Sequence, residues 1–182
     1  MTNIYKLKIE LVDSQPKIWR EFYVNSDMLL PDFHIAIQVV MGWEDAHLHQ
    51  FIHNRTFYGM PDPYDELGII DYLDIELSEL LTKKNDTLIY EYDFGDSWEH
   101  KITLKGIEDK VQLPQLPYCE KGEMACPPED CGGISGYENL VRVLSNPKDE
   151  EYDSMLMWLG GKYEAKTFDL NLINEELRLN FK

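Results

Sequence analysis

The stretch YEYDFGDSWEHKITL, residues 90–104, places a sharp turn between two strand-like segments and decides how this part of the chain folds. Apolar and polar residues alternate on both sides of Gly95, a period of two that is typical of β-strands. A glycine at this position permits a positive φ and a tight turn. The stretch therefore predicts a β-hairpin with Trp98 packed inward, and it leaves Asp93, Asp96 and His100 beside the turn.

The flanking segments predict the rest of one sheet. IYKLKIELV (4–12) and KIWREFYV (17–24) alternate around a Ser-Gln-Pro turn and predict a hairpin, and HLHQFIH (47–53) predicts a further strand. Residues 31–41 begin with proline, carry apolar residues at helical spacing and precede a glycine, so they predict an amphipathic helix. We expect an α+β fold: a single antiparallel or mixed sheet with helices packed mainly on one face.

The second half of the chain is predicted to be less regular. Residues 60–74 hold two prolines and five acids and indicate an exposed loop, and residues 75–83 indicate a short helix. Residues 109–135, with four prolines and every cysteine, predict a long irregular loop. Three helices should follow, the first capped by Ser135 and Glu138 and the last by Asp169.

Length and composition point to a single domain over residues 1–182, with 43% hydrophobic residues to build a core. No apolar run reaches the roughly 18 residues of a membrane span. The first residues, MTNIYKLKIELVDS, lack the apolar stretch of a signal peptide, so we expect a cytoplasmic protein.

The charge balance is strongly acidic, at −17 from 34 acids and 17 bases. A nucleic-acid-binding protein needs basic residues to replace the counterions of the phosphate backbone, and no basic patch is visible in the sequence. We therefore expect no direct nucleic-acid partner and no membrane partner, but a protein or a small molecule. The acidic surface also has a simpler explanation, because net charge keeps a protein soluble.

Two histidines mark a candidate polar site. His47 and His49 are two residues apart on a predicted strand, so their side chains should share one face and could share a metal ion. Asp96 and His100 could join them there. The alternative is structural: the histidines line a half-wet sheet face, and Asp96 accepts from local backbone N–H groups as in an Asx-turn.

The cysteines mark a candidate zinc site. Cys119, Cys126 and Cys131 follow the spacing C-x6-C-x4-C, and a structural zinc needs a fourth ligand, for which His100 is the candidate. A metal would anchor a loop whose closure is otherwise entropically costly. The alternative is that the three are small buried apolar residues. A nucleophilic Cys131 is disfavoured, because the adjacent acids should raise the thiol pKa.

Several strings together resemble one known family: IYKLKIEL with PKIWREFYV, MGWEDAHLHQF, LIYEYDFGDSWEHKI, ACPPEDCGGISGYENL and MLMWLGGKYEAKTFDL. The chain is similar to the plasmid pRiA4b ORF-3-like family over roughly residues 4 to 177. The resemblance implies a small α+β protein without an established activity. Some members are labelled resolvase-like passengers of insertion elements. A serine resolvase needs clustered arginines, whereas here they are scattered: Arg20, Arg55, Arg142 and Arg178.

Three functions remain open from the sequence. The first is a small acidic cytosolic binding or interaction domain, with or without a structural metal. The second is a metal-dependent hydrolase that uses the histidine and aspartate cluster, where a bound zinc would activate water. The third is a mobile-element-associated nucleic-acid transaction factor, which the charge disfavours. Elemental analysis of the purified protein would discriminate best among them.

Overall fold

One mixed sheet of eight strands organises the computed structural model, which describes residues 2–61 and 68–182. Its order is β5-β4-β3-β6-β7-β1-β2-β8, and every neighbouring pair is antiparallel except β4 and β5. The five strands predicted from the sequence are β1, β2, β3, β6 and β7, so the predicted α+β fold with a mixed sheet is confirmed. The strands are β1 Ile4–Leu11, β2 Trp19–Asn25, β3 His49–His53, β4 Thr56–Gly59, β5 Ile70–Asp71, β6 Thr87–Tyr92, β7 Trp98–Glu108 and β8 Tyr118–Glu123.

Helix α1, Leu30–Met41, covers the apolar face of this sheet as predicted. Proline stands in its first turn, and Gly42 ends it with φ 103°, a conformation that favours glycine. Its fully buried Phe33 ring stacks between two strand residues, 6.1 Å from the Phe22 ring and 5.9 Å from the Phe51 ring. The remaining helices of the described residues are α2 Leu77–Leu80, α3 Gly133–Leu144, α4 Tyr152–Trp158 and α5 Leu170–Asn180. None of the helices in the described ranges is long and apolar enough to cross a membrane.

The two predicted loops contain structure that the sequence pattern hides. The predicted loop 60–74 includes residues 62–67, which lie outside the described residues, but its end forms β5 and buries Tyr72. The predicted loop 109–135 contains β8, which pairs with β2. Only one β8 residue, Cys119, is buried, so the strand carries almost no alternating signal.

Strand β8 is an edge strand, and helix α5 covers its free side. Asn174 on α5 accepts from the Cys119 N–H and donates to the Cys119 carbonyl, both at 2.9 Å. A side-chain amide thus takes the place of a neighbouring strand, which protects the edge from pairing with another chain. Asp169 caps α5 as predicted, by accepting from the N–H groups of Asn171 and Leu172.

The turn between β6 and β7 packs directly against the start of α3. The sequence predicts the positive φ of this turn at Gly95, but the structure has it at Asp93 and Ser97, with φ 57° and 52°. A side chain at Gly133 would place its Cβ 2.6 Å from the Asp96 carbonyl oxygen, so only glycine permits this approach. The predicted Ser135 cap is wrong: α3 begins after Gly132, and the Ser135 hydroxyl donates to the Gly132 carbonyl.

Candidate metal centre

Three carboxylate side chains from two segments of the chain surround the imidazole of His47, which lies on a separate segment. Its Nε2 atom lies 3.1 Å from Asp130 Oδ1, 3.7 Å from Asp93 Oδ2 and 3.9 Å from Glu129 Oε2. One ligand atom each from His47, Asp93 and Asp130 lies within 4.8 Å of the others, which is close enough to share one ion. We call these four residues the His47 cluster.

Two atoms of the His47 cluster are buried without a hydrogen-bond partner. In the described part of the chain three buried side-chain atoms lack one: His47 Nε2, Glu129 Oε2 and Trp98 Nε1. The first two are 3.9 Å apart. The closer Asp130 oxygen does not satisfy His47, because that contact lacks hydrogen-bond geometry. Buried polar atoms are rarely left unpaired, since each costs about 1–3 kcal/mol. The two unpaired atoms therefore make the His47 cluster the candidate site for a ligand.

Neighbouring hydrogen bonds hold Glu129 so that its second oxygen faces His47. Glu129 Oε1 accepts from the Glu44 N–H at 2.8 Å and from the Tyr92 hydroxyl at 3.0 Å. The same hydroxyl accepts from the Ala46 N–H at 2.9 Å. Tyr92 thus ties the loop that carries His47 to the loop that carries Glu129. On the third segment, Asp93 Oδ1 accepts from the Gly95 N–H at 2.9 Å, which leaves Oδ2 toward His47.

The charges of the His47 cluster favour a cation. Three carboxylates surround one imidazole, and no lysine or arginine among the described residues forms an ion pair with any of them. Even a protonated His47 would offset only one of the three negative charges. Carboxylate oxygens with one imidazole nitrogen form a ligand set that suits Mn²⁺ or Zn²⁺ better than a soft, thiolate-seeking metal.

A cavity begins at Asp130. It has a volume of about 370 Å³ and lies between α3 and α4. The Asp130 side chain is 71% exposed, whereas Glu129 is 14% exposed, so the His47 cluster has a buried side and an open side. The cavity is lined by Asp130, Cys131, Gly136, Asn139, Leu140, Ser154, Met155 and Trp158.

A second polar cluster, of His34, Asp45 and His49, is a completed hydrogen-bond network. The Tyr90 hydroxyl accepts from Gln38 at 2.8 Å and donates to His34 Nδ1 at 2.8 Å. His34 Nε2 then donates to Asp45 Oδ1 at 2.9 Å. The polar atoms of this network are paired, so it offers less evidence for an absent ligand than the His47 cluster does.

The His49 ring stacks on the His34 ring in this second cluster. The ring centroids are 3.5 Å apart with an interplanar angle of 4°. Burial, and then the nearby His34, lower the His49 pKa to about 4. Ligand lone pairs lie in the plane of an imidazole, so parallel stacked rings do not converge on one ion without rotating. The second cluster is therefore a poorer metal site, although its ligand atoms also lie within 4.8 Å of one another.

The structure separates the residues of the predicted polar site. His47 lies in the loop before β3 and joins the acidic residues, whereas His49 lies on β3 and donates to or accepts from the Tyr72 hydroxyl at 3.1 Å. The two imidazoles belong to different clusters, and only His49 lies within the strand. Asp96 Oδ2 accepts from the Gly132 N–H at 3.0 Å and so joins the turn to α3 rather than bonding locally.

His100 is fully buried and belongs to neither cluster of possible metal ligands. Its Nε2 accepts from the Trp43 indole N–H at 3.1 Å, and its Nδ1 donates to the Tyr90 carbonyl at 3.3 Å. This assigns the neutral tautomer with the proton on Nδ1. Burial lowers the His100 pKa to about 4. Both ring nitrogens are engaged, which leaves neither free for a metal.

The predicted zinc ligands do not form a compact set. Among the described residues, no group of three metal-ligating atoms within 4.8 Å contains a cysteine or His100. Pairing with β2 fixes Cys119 in β8, where its thiol donates toward the Glu21 and Lys121 carbonyls at 3.7 and 3.8 Å. Burial raises the pKa of Cys119 and of Cys131 to about 12, and that of Cys126 well above its usual value. Zinc at the cysteines stays a prediction.

Sequence reasoning missed Asp93, Glu129 and Asp130 as partners of His47. A weak signal existed, because Glu129-Asp130 is an acidic pair between two prolines and two glycines, a stretch with a restricted backbone. Nothing in the spacing connects that pair to residue 47 or residue 93. The contact depends on how the β6–β7 turn packs against α3.

These features define a class: an α+β protein with one mixed eight-stranded sheet and a carboxylate-rich histidine cluster beside the β6–β7 turn. The chain belongs to the plasmid pRiA4b ORF-3-like protein family, whose sequence profile matches residues 3–172. The resemblance seen in the sequence is thereby confirmed.

Two relatives extend over nearly the whole chain. The uncharacterised protein y4hQ of Sinorhizobium fredii (strain NBRC 101917 / NGR234) is 30% identical over 180 residues, which is 96% of this chain and 91% of the relative. The crystal structure of MM3350, a protein of unknown function from Methanosarcina mazei Go1, is similar with a TM-score of 0.82 and 33% identity. The similarity covers 93% of this chain and 97% of the MM3350 chain.

Proposed function

We propose that the protein binds a divalent cation through His47, Asp93, Glu129 and Asp130. One observation carries this proposal: His47 Nε2 and Glu129 Oε2 are buried, lack hydrogen-bond partners and lie 3.9 Å apart. An ion between them would satisfy both atoms and neutralise the surrounding carboxylates. Mn²⁺ and Zn²⁺ are the ions whose ligand preferences fit best.

The open side of the His47 cluster favours a metal-dependent hydrolase. Catalytic metal sites keep a position for water or substrate, and here Asp130 leads from the cluster into the cavity. A bound ion would supply a water of lowered pKa and would polarise a substrate carbonyl. On the buried side, the Tyr92 hydroxyl donates to Glu129 and accepts from the Ala46 N–H, which holds Glu129 next to His47.

Metal titration tests the proposal. The protein is stripped with a chelator, and isothermal titration calorimetry then measures the binding of Mn²⁺, Zn²⁺, Mg²⁺ and Ca²⁺. We expect one Mn²⁺ or Zn²⁺ per chain. Binding should be weaker by at least about 10–100-fold in H47A and E129Q, because even the outer partners of metal ligands contribute that much. H53A and E99Q are the matched controls, since they remove a histidine of β3 and an exposed acid of β7 outside the cluster. Unchanged affinity in both H47A and E129Q would overturn the proposal.

A second candidate is a binding domain without catalysis. Helix α4 has no buried residue, and it exposes Met157 at 83% and Trp158 at 50%. Exposed apolar side chains surrounded by polar ones are typical of interaction sites. Metal binding without turnover of any ester, amide or phosphate substrate would favour this candidate over the hydrolase.

A further inference from the structure

The cavity next to the His47 cluster has an apolar wall and no basic residue. Leu140 from α3 and Met155 and Trp158 from α4 form the apolar wall, and the polar lining consists of Asn139, Ser154 and Asp130 with the Cys131 segment. Neither Lys nor Arg is among the lining residues. A site that recognises phosphate or carboxylate groups normally supplies such cations, because they pair with the anionic oxygens.

From this lining we infer the substrate class of the proposed hydrolytic site, an inference that rests on the proposed function. We propose that the cavity takes a small uncharged ester or amide with a ring-sized apolar group. The carbonyl end would lie at Asp130, beside the ion, and the apolar group would lie against Leu140, Met155 and Trp158.

The size and chemistry of the wall favour one ring rather than a polymer. A volume of about 370 Å³ is at the small end of ligand pockets. Trp158 is half exposed, so its indole face is accessible for offset stacking with a planar group. The net charge of −17 adds a long-range repulsion of anionic ligands.

The proposed reaction is a hydrolysis with water as the nucleophile. The ion beside Asp130, which lines the cavity, would supply that water. Water adds to the carbonyl carbon, the bond to the leaving oxygen or nitrogen breaks, and the proton from water passes to that leaving group.

Hydroxamates test the substrate class without requiring turnover. Acetohydroxamate and benzohydroxamate carry the same chelating group and differ in the phenyl ring. Calorimetry on the Mn²⁺-loaded protein should show benzohydroxamate binding about tenfold tighter. In W158A this advantage should shrink to about threefold or less, with acetohydroxamate affinity unchanged. W158F should retain most of the advantage, and M157A is the control, since Met157 is exposed but does not line the cavity.

The outcomes separate this inference from the proposed function. If Mn²⁺ binds but the two hydroxamates have equal affinity, or if W158A leaves the advantage intact, the substrate class is wrong and the metal site stands. Tighter binding of phenylphosphonate than of benzohydroxamate would also refute an uncharged substrate. If no ion binds at the His47 cluster, both proposals fail together.

Discussion

Acidification should destabilise the protein through His100, and the size of the effect follows from its burial. The neutral imidazole is fully buried and satisfied at both nitrogens, and its pKa is about 4 in the folded protein against 6.5 for an ordinary histidine. The unfolded chain therefore takes up a proton first as the pH falls. Stability that is present above pH 6.5 is lost progressively toward pH 4.

The magnitude can be worked out for one histidine. With a pKa of about 4 folded and 6.5 unfolded, lowering the pH from 7 to 5 should remove about 2 kcal/mol of unfolding free energy. Burial lowers the pKa of His34 and His49 as well, so the wild-type loss should exceed this value. Carboxyl groups held by hydrogen bonds, such as Glu120 and Asp86, lose their contribution only at lower pH.

Urea unfolding at pH 7 and pH 5, at constant ionic strength, measures this loss in the wild type and in H100Q. The glutamine oxygen can still accept from the Trp43 indole, but it cannot be protonated in this range. H100Q should therefore lose about 2 kcal/mol less than the wild type. H53Q, at a half-buried histidine of β3, should keep most of the wild-type loss.

The reasoning is refuted if H100Q and the wild type lose equal stability between the two pH values. Should H100Q fail to fold, the His100 imidazole can be titrated directly in the wild type by NMR of labelled histidine. A midpoint near pH 6.5 in the folded protein would then contradict the assigned role of burial.

Three further predictions concern the frame that holds the site. Arg20 donates to the Val40, Glu123 and Met124 carbonyls at 2.7–2.8 Å and so joins α1 to the end of β8. R20M should lower the free energy of unfolding in urea by about 3 kcal/mol or more, and a decrease below about 1 kcal/mol would contradict this structural role. N174L removes both hydrogen bonds to Cys119, so the free energy of unfolding should fall by about 2 kcal/mol and light scattering should show self-association. A variant that stays monomeric and keeps native stability would argue against edge protection. G133A should weaken Mn²⁺ binding in calorimetry far more than G160A does. Both glycines have φ 66°, but only Gly133 lies against Asp96, so only G133A should displace the turn. Equal effects would show that backbone strain at a positive φ, and not the contact with Asp96, weakens binding.

Local sequence patterns were sufficient for the elements that each segment forms by itself. The β6–β7 hairpin, α1 with its glycine end and the Asp169 cap follow from turn chemistry and periodicity within a few residues. Strand β8 escaped prediction because its exposed polar residues are stabilised by pairing with β2 and by Asn174. The burial of Arg20 follows from strand alternation, since the fully buried Phe22 stands two residues further along β2 and Arg20 shares its face.

The sequence by itself determined the fold class and the strands β1, β2, β3, β6 and β7, and it gave His47 as a candidate for a polar site. Only the tertiary structure decided its partners. Asp93, Glu129 and Asp130 reach His47 because the β6–β7 turn packs on the glycine start of α3 and Tyr92 joins two loops. Backbone periodicity is a local property that residues within one or two turns reveal. Contacts between distant segments depend on packing, which no spacing in the sequence records.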